Sequence, residues 1–384
     1  MSVDFEYCVL GAGVVGSAVA YMLARNGSSV VLLEQFEFGH ERGSSHGETR
    51  ITRYSYDLPL YVRMAKRAYP LWQELCNESG ASLFLKTGGI DLDEEEGCRI
   101  ASCIQSLQQE SIPYEELDAL EIRRRFPQFH IPGHTRGLYQ ADTGILNATL
   151  CVKSLQEQAT KHRAKLFEHS PVVKIEFESK HVKLTTPSSK FKVRKLVITA
   201  GGWAGPLLQG LGVKLPLEVT QEQYAYFRPL KPELFRPDRF PVFIHYGGVG
   251  SGGIGWYGFP QFGFDGVKSS IHKTGKIVTA EKRDFQVDEV QLEQLAELMT
   301  ELLPDAAGEI VHSNTCLYTN TPDTHFVIDH LPGRENAVFF TGCSGHAFKF
   351  GMVLAEMLIS LLNKENAIVP LDMFSCKRAF LSPQ

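Results

Sequence analysis

The chain runs to 384 residues, 43% of them hydrophobic, with 39 lysines and arginines against 44 aspartates and glutamates and a formal charge of -5. That length supports a large core divided between two domains, and the charge balance argues against a nucleic-acid or anionic-membrane partner. Eight cysteines (Cys8, Cys76, Cys98, Cys103, Cys151, Cys316, Cys343 and Cys376) are scattered without a C-x-x-C pair, so no metal site and no thioredoxin-type redox chemistry is expected, and the thiols read as reduced ones in a cytoplasmic protein.

The opening "MSVDFEYCVLGAG" is acidic and runs straight into a strand, without a secretory pattern. The longest apolar run, "MVLAEMLISLL", is short and carries Glu356, so no membrane span is expected. The closing "LSPQ" is not a peroxisomal tripeptide.

In chain order, Tyr7 to Leu10 form a buried strand that stops at Gly11-Ala-Gly13-Val14-Val15-Gly16. Val15, Ala18, Val19, Met22 and Leu23 then recur at helical spacing, Gly27 ends the helix, and Val30 to Leu33 make a second strand closed by Glu34 and Gln35. Gly11 allows a tight turn, Gly13 lets backbone approach a pyrophosphate, and Gly16 lets the helix pack on the strand. The helix N-terminus offers free N–H groups to phosphates, and Glu34 is placed to accept hydrogen bonds from a ribose. This is a dinucleotide signature; its acid favours FAD or NAD over NADP and leaves those two open.

Further along, "VVKIEFESKHVKLTTPSSKFKV" (172–193) alternates and turns like a small antiparallel meander. "KLVITAGGWAG" (195–205) is a strand that breaks into Ala200-Gly201-Gly202-Trp203. A meander between the first βαβ unit and a return to the same sheet leans toward FAD, because NAD domains more often continue βαβ units in series. The stretch "YGGVGSGGIGWYGFP" (246–260) lacks the lysine of a P-loop and is expected to be a hairpin leading into a strand that presents Tyr257. Lys268 and His272 fall in what reads as a polar loop, "GVKSSIHKTG".

Cys316, in "SNTCLYTNTPDTHFVID" (313–329), stands where a strand turns into a Pro-Asp loop. It is either a buried small hydrophobe or a thiol with chemistry to perform. Ala337 to Phe340 form another strand, followed by a glycine-rich turn and a helix whose core face is Met352, Val353, Met357, Leu358, Leu361 and Leu362. Ser344, Gly345, His346 and Lys349 occupy the N-terminal turn. A helix N-terminus with a lysine suits a flavin pyrimidine ring or a substrate carboxylate, and Phe348 and Phe350 make Lys349 more than a solvated surface lysine.

Taken together, "GAGVVG", "RGSSHGETRITR" (42–53), "WYGFP" (256–260), "GVKSSIHKTG" (266–275), "CLYTNTPDTHFVID" (316–329) and "GCSGHAFKFG" (342–351) resemble, almost end to end, the monomeric sarcosine oxidase family of covalent flavoproteins, with its pipecolate and N-methyltryptophan oxidases. In that family the cysteine ahead of such a stretch forms a thioether with the 8α-methyl group of FAD, which implies an 8α-S-cysteinyl flavin on Cys316. The resemblance also implies that His46 and Arg50 sit beside the flavin ring, with Ser44 and Ser45 in the same cofactor-binding segment. Arg53 and Lys349 would hold a substrate carboxylate. Lys268 would reach flavin N5 through water and promote reaction with oxygen, with His272, Tyr257 and Tyr318 lining the substrate pocket. Further cofactor contacts are expected from Val173, Ala200, Gly201, Trp203, Gly345 and His346.

The expected architecture is α/β, with a Rossmann-like FAD-binding domain (1–85, 145–217 and 317–384) and a discontinuous antiparallel-sheet substrate domain (86–144 and 218–316). The expected activity, by a monomer, is oxidation of a secondary or N-alkyl amino acid to an imine, with O2 reduced to hydrogen peroxide. Sarcosine is the default substrate. Pipecolate, proline or a bulkier N-substituted amino acid comes next, because "VTQEQYAYF" (219–227) and the glycine-rich stretch depart from the sarcosine oxidase pattern. A dehydrogenase serving a partner protein and a cofactor binder without turnover are the other classes; Lys268 argues for the oxidase over the first, and Arg53, Lys268 and Lys349 together argue against the second.

Overall fold

The computed structural model describes residues 3–94, 98–247 and 255–381. Phe5–Leu10, Val30–Leu33, Lys190–Ile198 and Arg334–Thr341 form the parallel centre of one sheet, extended by Lys165–Phe167 beside Val30–Leu33. The meander is as the alternation predicts: Lys174–Phe177, Val182–Thr185 and Lys190–Ile198 pair antiparallel. The strand Lys190–Ile198 divides its free edge, its first half pairing with Val182–Thr185 and its last residues with Ala337–Phe339. Val327–Leu331 closes this sheet as a hairpin with Arg334–Thr341.

Helices cover the central strands, which is why Val30–Leu33 is buried throughout rather than alternately. The helix Val14–Arg25 packs against Ala148–Lys161 and Gly351–Asn363. Sequence periodicity marks one apolar stripe on it, yet every residue from Val14 to Ala24 is buried, because small side chains let neighbours close on all sides. Each fully buried aliphatic side chain here contributes about 1.5–3 kcal/mol.

A second, larger sheet runs in the order Lys276–Ile277, Glu218–Phe227, Val267–Ile271, Trp256–Gln261, Val242–Tyr246, Gly89–Asp93, Arg136–Gln140, Glu115–Leu117. Ile310–Asn320 pairs antiparallel along Glu218–Phe227 and stays in this sheet past residue 317. Two local expectations change here. Cys316 lies inside a long strand rather than at its end, and Lys268 belongs to the buried strand Val267–Ile271 rather than to a polar loop. Val242–Tyr246 and Trp256–Gln261 pair antiparallel, as a hairpin requires; its expected glycine-rich turn, 248–254, lies outside the described residues. A small third sheet joins Arg50–Thr52, Gly144–Leu146 and Phe84–Lys86. Among the described residues no helix is long and apolar enough to cross a membrane.

This arrangement places the site. Leu10, Leu33, Ile198 and Thr341 end four parallel strands at one edge, and the turns that follow each of them face the second sheet. The crevice outside the carboxyl ends of parallel strands is where α/β sheets bind ligands.

Candidate active site

A cavity of about 1320 Å³ occupies that crevice and is lined from both sheets. A pocket for one small ligand measures roughly 300–1,000 Å³, so this one has room for a long cofactor and a small molecule together.

At one end lie Gly11, Gly13, Val14, Val15, Glu34, Gln35, Ser44, Ser45, Ala200, Gly201 and Trp203. Gly11 has φ +93°, and a Cβ on it would stand 2.5 Å from the Thr199 carbonyl oxygen. Gly16 does not line the cavity; a Cβ there would fall 1.9 Å from the Gly11 carbonyl oxygen, so its work is close packing of helix on strand. The Glu34 carboxylate accepts from the backbone amides of Ala12 (2.8 Å) and Phe36 (3.1 Å). Burial opposes its charge, but His40 and these two amides outweigh that and hold the carboxyl below its ordinary range. The amide of Val14 donates to Ser45 Oγ at 3.1 Å, tying the 42–53 segment to the helix start. One expected residue is misplaced: Val173 is 65% exposed, and its neighbour Val172 lines the cavity instead. The two lie in the irregular connection ahead of Lys174–Phe177, where strand alternation gives no parity to read.

In the middle stand His46, Thr49, Arg50, Tyr224, Lys268 and Cys316. The Arg50 guanidinium donates to the carbonyls of Thr49 (2.7 Å), Ser44 (2.8 Å) and His46 (2.8 Å), which fixes the loop and leaves its charge without a carboxylate partner among these bonds. Burial, then Arg50 and Lys268, push His46 down to about 3, so the ring is neutral. Both of its nitrogens are buried without a hydrogen-bond partner among the described residues. Lys268 donates to Thr49 Oγ1 at 3.0 Å and sits 4.0 Å from the Tyr224 ring centroid, with Phe259 and Tyr226 at 5.5 and 5.7 Å. Burial, then Arg50, bring it down to about 7. Cys316 is opposite Glu222 in the strand register. Burial pushes its thiol up and Glu222 adds to this, against Arg50, Lys268 and Arg283, so the cations alone do not make it a thiolate.

The far chamber holds Arg53, Tyr56, Tyr246, Tyr257, His272, Tyr318, Gly345, His346 and Lys349. Arg53 Nη1 donates to Asp91 Oδ2 (3.0 Å), Tyr246 OH (2.9 Å) and Ser55, and the guanidinium lies 4.6 Å from the Tyr56 ring centroid. Its ion pair is therefore with a buried aspartate of the second sheet, not with a surface acid of its own segment. Lys349 is buried, its Nζ donating to Tyr56 OH (2.9 Å) and to the His346 carbonyl (3.1 Å). Burial, then Arg53 and Arg50, hold it well below the ordinary lysine value. His272 approaches Tyr318 OH at 3.5 Å, and burial, then Lys273, Arg53 and Lys349, bring it down to about 3. Gly345, at φ +79°, gives way to the Tyr318 ring, which a Cβ would meet at 2.3 Å.

Sequence reasoning missed Asp91, Tyr56, Tyr246, Tyr224, Tyr226 and Glu222. The spacing Tyr224-Ala225-Tyr226 in a strand puts both rings on one face, and it was the one local sign of the enclosure around Lys268.

The profile of the family described as FAD dependent oxidoreductase matches residues 6–361. The chain is 34% identical to a monomeric sarcosine oxidase of Streptomyces avermitilis, covering 100% of both chains. It is 31% identical to an N-methyl-L-tryptophan oxidase of Salmonella agona, covering 92% of this chain and 93% of that one. The solved structure of NikD, an unusual amino acid oxidase essential for nikkomycin biosynthesis, superposes with a TM-score of 0.84 at 22% identity, over 97% of this chain and 98% of that one. The glycine turn, the strand-edge crevice and this full-length similarity have one conclusion: the chain belongs to the FAD-dependent oxidoreductase family, among the relatives of the sarcosine and N-methyltryptophan oxidases.

Proposed function

We propose that the protein is a flavin-dependent oxidase of secondary or N-alkyl amino acids, acting as a cytoplasmic monomer and passing electrons to O2 with release of hydrogen peroxide. The observation that carries the reading is one continuous cavity. It runs from the Gly11–Gly16 turn and Glu34, past His46, Lys268 and Cys316, to a chamber with Arg53, His272, Tyr257, Tyr318 and Lys349.

The residues fit FAD. Gly11 and Gly13 leave backbone open at a helix start, and the buried, partnerless nitrogens of His46 call for a ligand that can hydrogen-bond them. Bound there, FAD supplies the acceptor for the two electrons and the hydrogen taken from the carbon beside the amine nitrogen. Cys316 is the residue proposed to hold it covalently. Arg53, oriented by Asp91 and Tyr246, and Lys349 take the substrate carboxylate. His46 and His272 stay neutral at physiological pH, so neither repels an incoming amine by charge. Lys268, enclosed by Tyr224, Tyr226 and Phe259, provides the cation that favours negative charge developing on oxygen.

Sarcosine is the first substrate to test, followed by pipecolate, proline and N-methyl amino acids with larger side chains. The purified yellow protein should form peroxide in air with at least one of them; a panel with no peroxide refutes the oxidase. A dehydrogenase using another acceptor would instead be bleached by the amine without oxygen and give no peroxide in air. Acid-denatured polypeptide should keep its yellow colour, and C316S should lose it. A colourless wild-type precipitate removes the covalent link.

A further inference from the structure

Three side chains run from the far chamber to the surface as a directed chain of hydrogen bonds. Lys349 Nζ donates to Tyr56 OH at 2.9 Å in a buried setting. Tyr56 OH lies 3.5 Å from His346 Nδ1, part-buried, and His346 Nε2 lies 3.1 Å from the exposed carbonyl of Thr324. The polarity is set by chemistry. A carbonyl only accepts, so Nε2 carries the ring proton; in a neutral imidazole Nδ1 must then accept, and Tyr56 donates to it. Phe326 stacks on the His346 ring at 4.5 Å and 25°, holding the ring plane.

We infer that Lys349, Tyr56 and His346 form a proton path between the substrate amine site and solvent at Thr324. The inference rests on the proposed oxidase, because an amino acid arrives as an ammonium and must lose a proton before its C–H bond can be oxidised. Neutral Lys349 takes one proton from solvent along this path as the carboxylate binds and becomes the cation that faces it. It then gives a proton through the Tyr56 hydroxyl to His346 Nδ1 while one leaves Nε2 to water, and the freed Nζ takes the ammonium proton in its place. One proton enters, one leaves, and no electrons move. The groups facing Lys349 are Arg50, Arg53, Asp91, Tyr56 and the His346 backbone; those facing His346 are Lys349, His272, Lys273, Tyr56 and Tyr61. Burial, then the cations among them, favours a neutral lysine, and burial, then Lys349, keeps His346 well below the ordinary histidine value.

The test uses the flavin-loaded enzyme with Y56F, which keeps the ring and its packing, and H346A. Anaerobic bleaching by a secondary amino acid should slow roughly tenfold or more in both variants. Added imidazole should restore H346A, leave Y56F slow and leave the wild type unchanged. A loss in H346A that does not respond to imidazole, or wild-type rates in both variants, overturns the path. A second measurement is independent of turnover: acetate is mixed with enzyme in weak buffer containing a pH indicator. Wild type should take up a proton as fast as acetate binds, whereas uptake in Y56F should lag. Acetate binding without proton uptake in the wild type overturns the path. Uptake with the expected lag, in an enzyme that no secondary amino acid bleaches, overturns the proposed oxidase and leaves the path standing.

Discussion

Replacing Lys268 with Met should make the protein more stable at neutral pH while removing the cation proposed to act on oxygen. The lysine is buried and falls from an ordinary 10.5 to about 7, mainly through burial and then through Arg50. At about 1.36 kcal/mol for each tenfold change in proton affinity, keeping it protonated in the fold costs about 5 kcal/mol, of which about 4 bears at pH 7. In the unfolded chain the lysine holds its proton up to 10.5, so between 7 and 10.5 the folded state binds fewer protons. The penalty is therefore full below 7, lifts as pH rises, and is gone above 10.5. Against this, Met loses the Thr49 hydrogen bond, about 1 kcal/mol, and the contact of the charge with Tyr224, about 2 kcal/mol. Met fills a similar volume with a flexible stem. K268M should thus exceed wild type by about 1–2 kcal/mol at pH 6–7, with the advantage gone at roughly pH 8 and reversed above it. Paired urea titrations across that range measure the difference, since the titrating groups that do not face Lys268 cancel. A variant less stable than wild type at pH 6, or a difference that does not change with pH, refutes the account of a lysine held against its own desolvation.

Asp91→Ala leaves Arg53 buried without its carboxylate and should cost about 3–5 kcal/mol, read as a lower denaturation midpoint. Asp91→Asn, which keeps an acceptor, should cost less, and a D91A protein as stable as wild type would show that Tyr246 and Ser55 suffice. Gly345→Ala should lose about 1–2 kcal/mol to its left-handed backbone, φ +79°, and more to the clash with Tyr318. Gly333→Ala, at φ +69° with open space around it, isolates the backbone share, so equal losses in the two variants would dismiss the clash.

What the sequence shows and what it hides divides by distance along the chain. The unit of glycine turn, Val14–Arg25 and Val30–Leu33 and the 174–198 meander are each local, with turn chemistry and periodicity written within a stretch of some thirty residues. The charges around the chamber are a different matter. Asp91 sits in the acidic run "IDLDEEEG", which reads as a solvated face; only its parallel pairing with Val242–Tyr246 buries it beside Tyr246 and turns it toward Arg53. Lys268 looks solvated for the same reason. Its burial follows from a register that sets Tyr226 opposite it, with Tyr224 two residues along the same strand face. Glu222 reaches Cys316 only through the pairing of two strands some ninety residues apart, and it pushes the thiol in the direction opposite to the surrounding cations. Residue types can thus announce which side chains meet around one cavity, while the protonation state of each is decided by which strand lies alongside, and strand pairing across such separations leaves no periodic trace in the sequence.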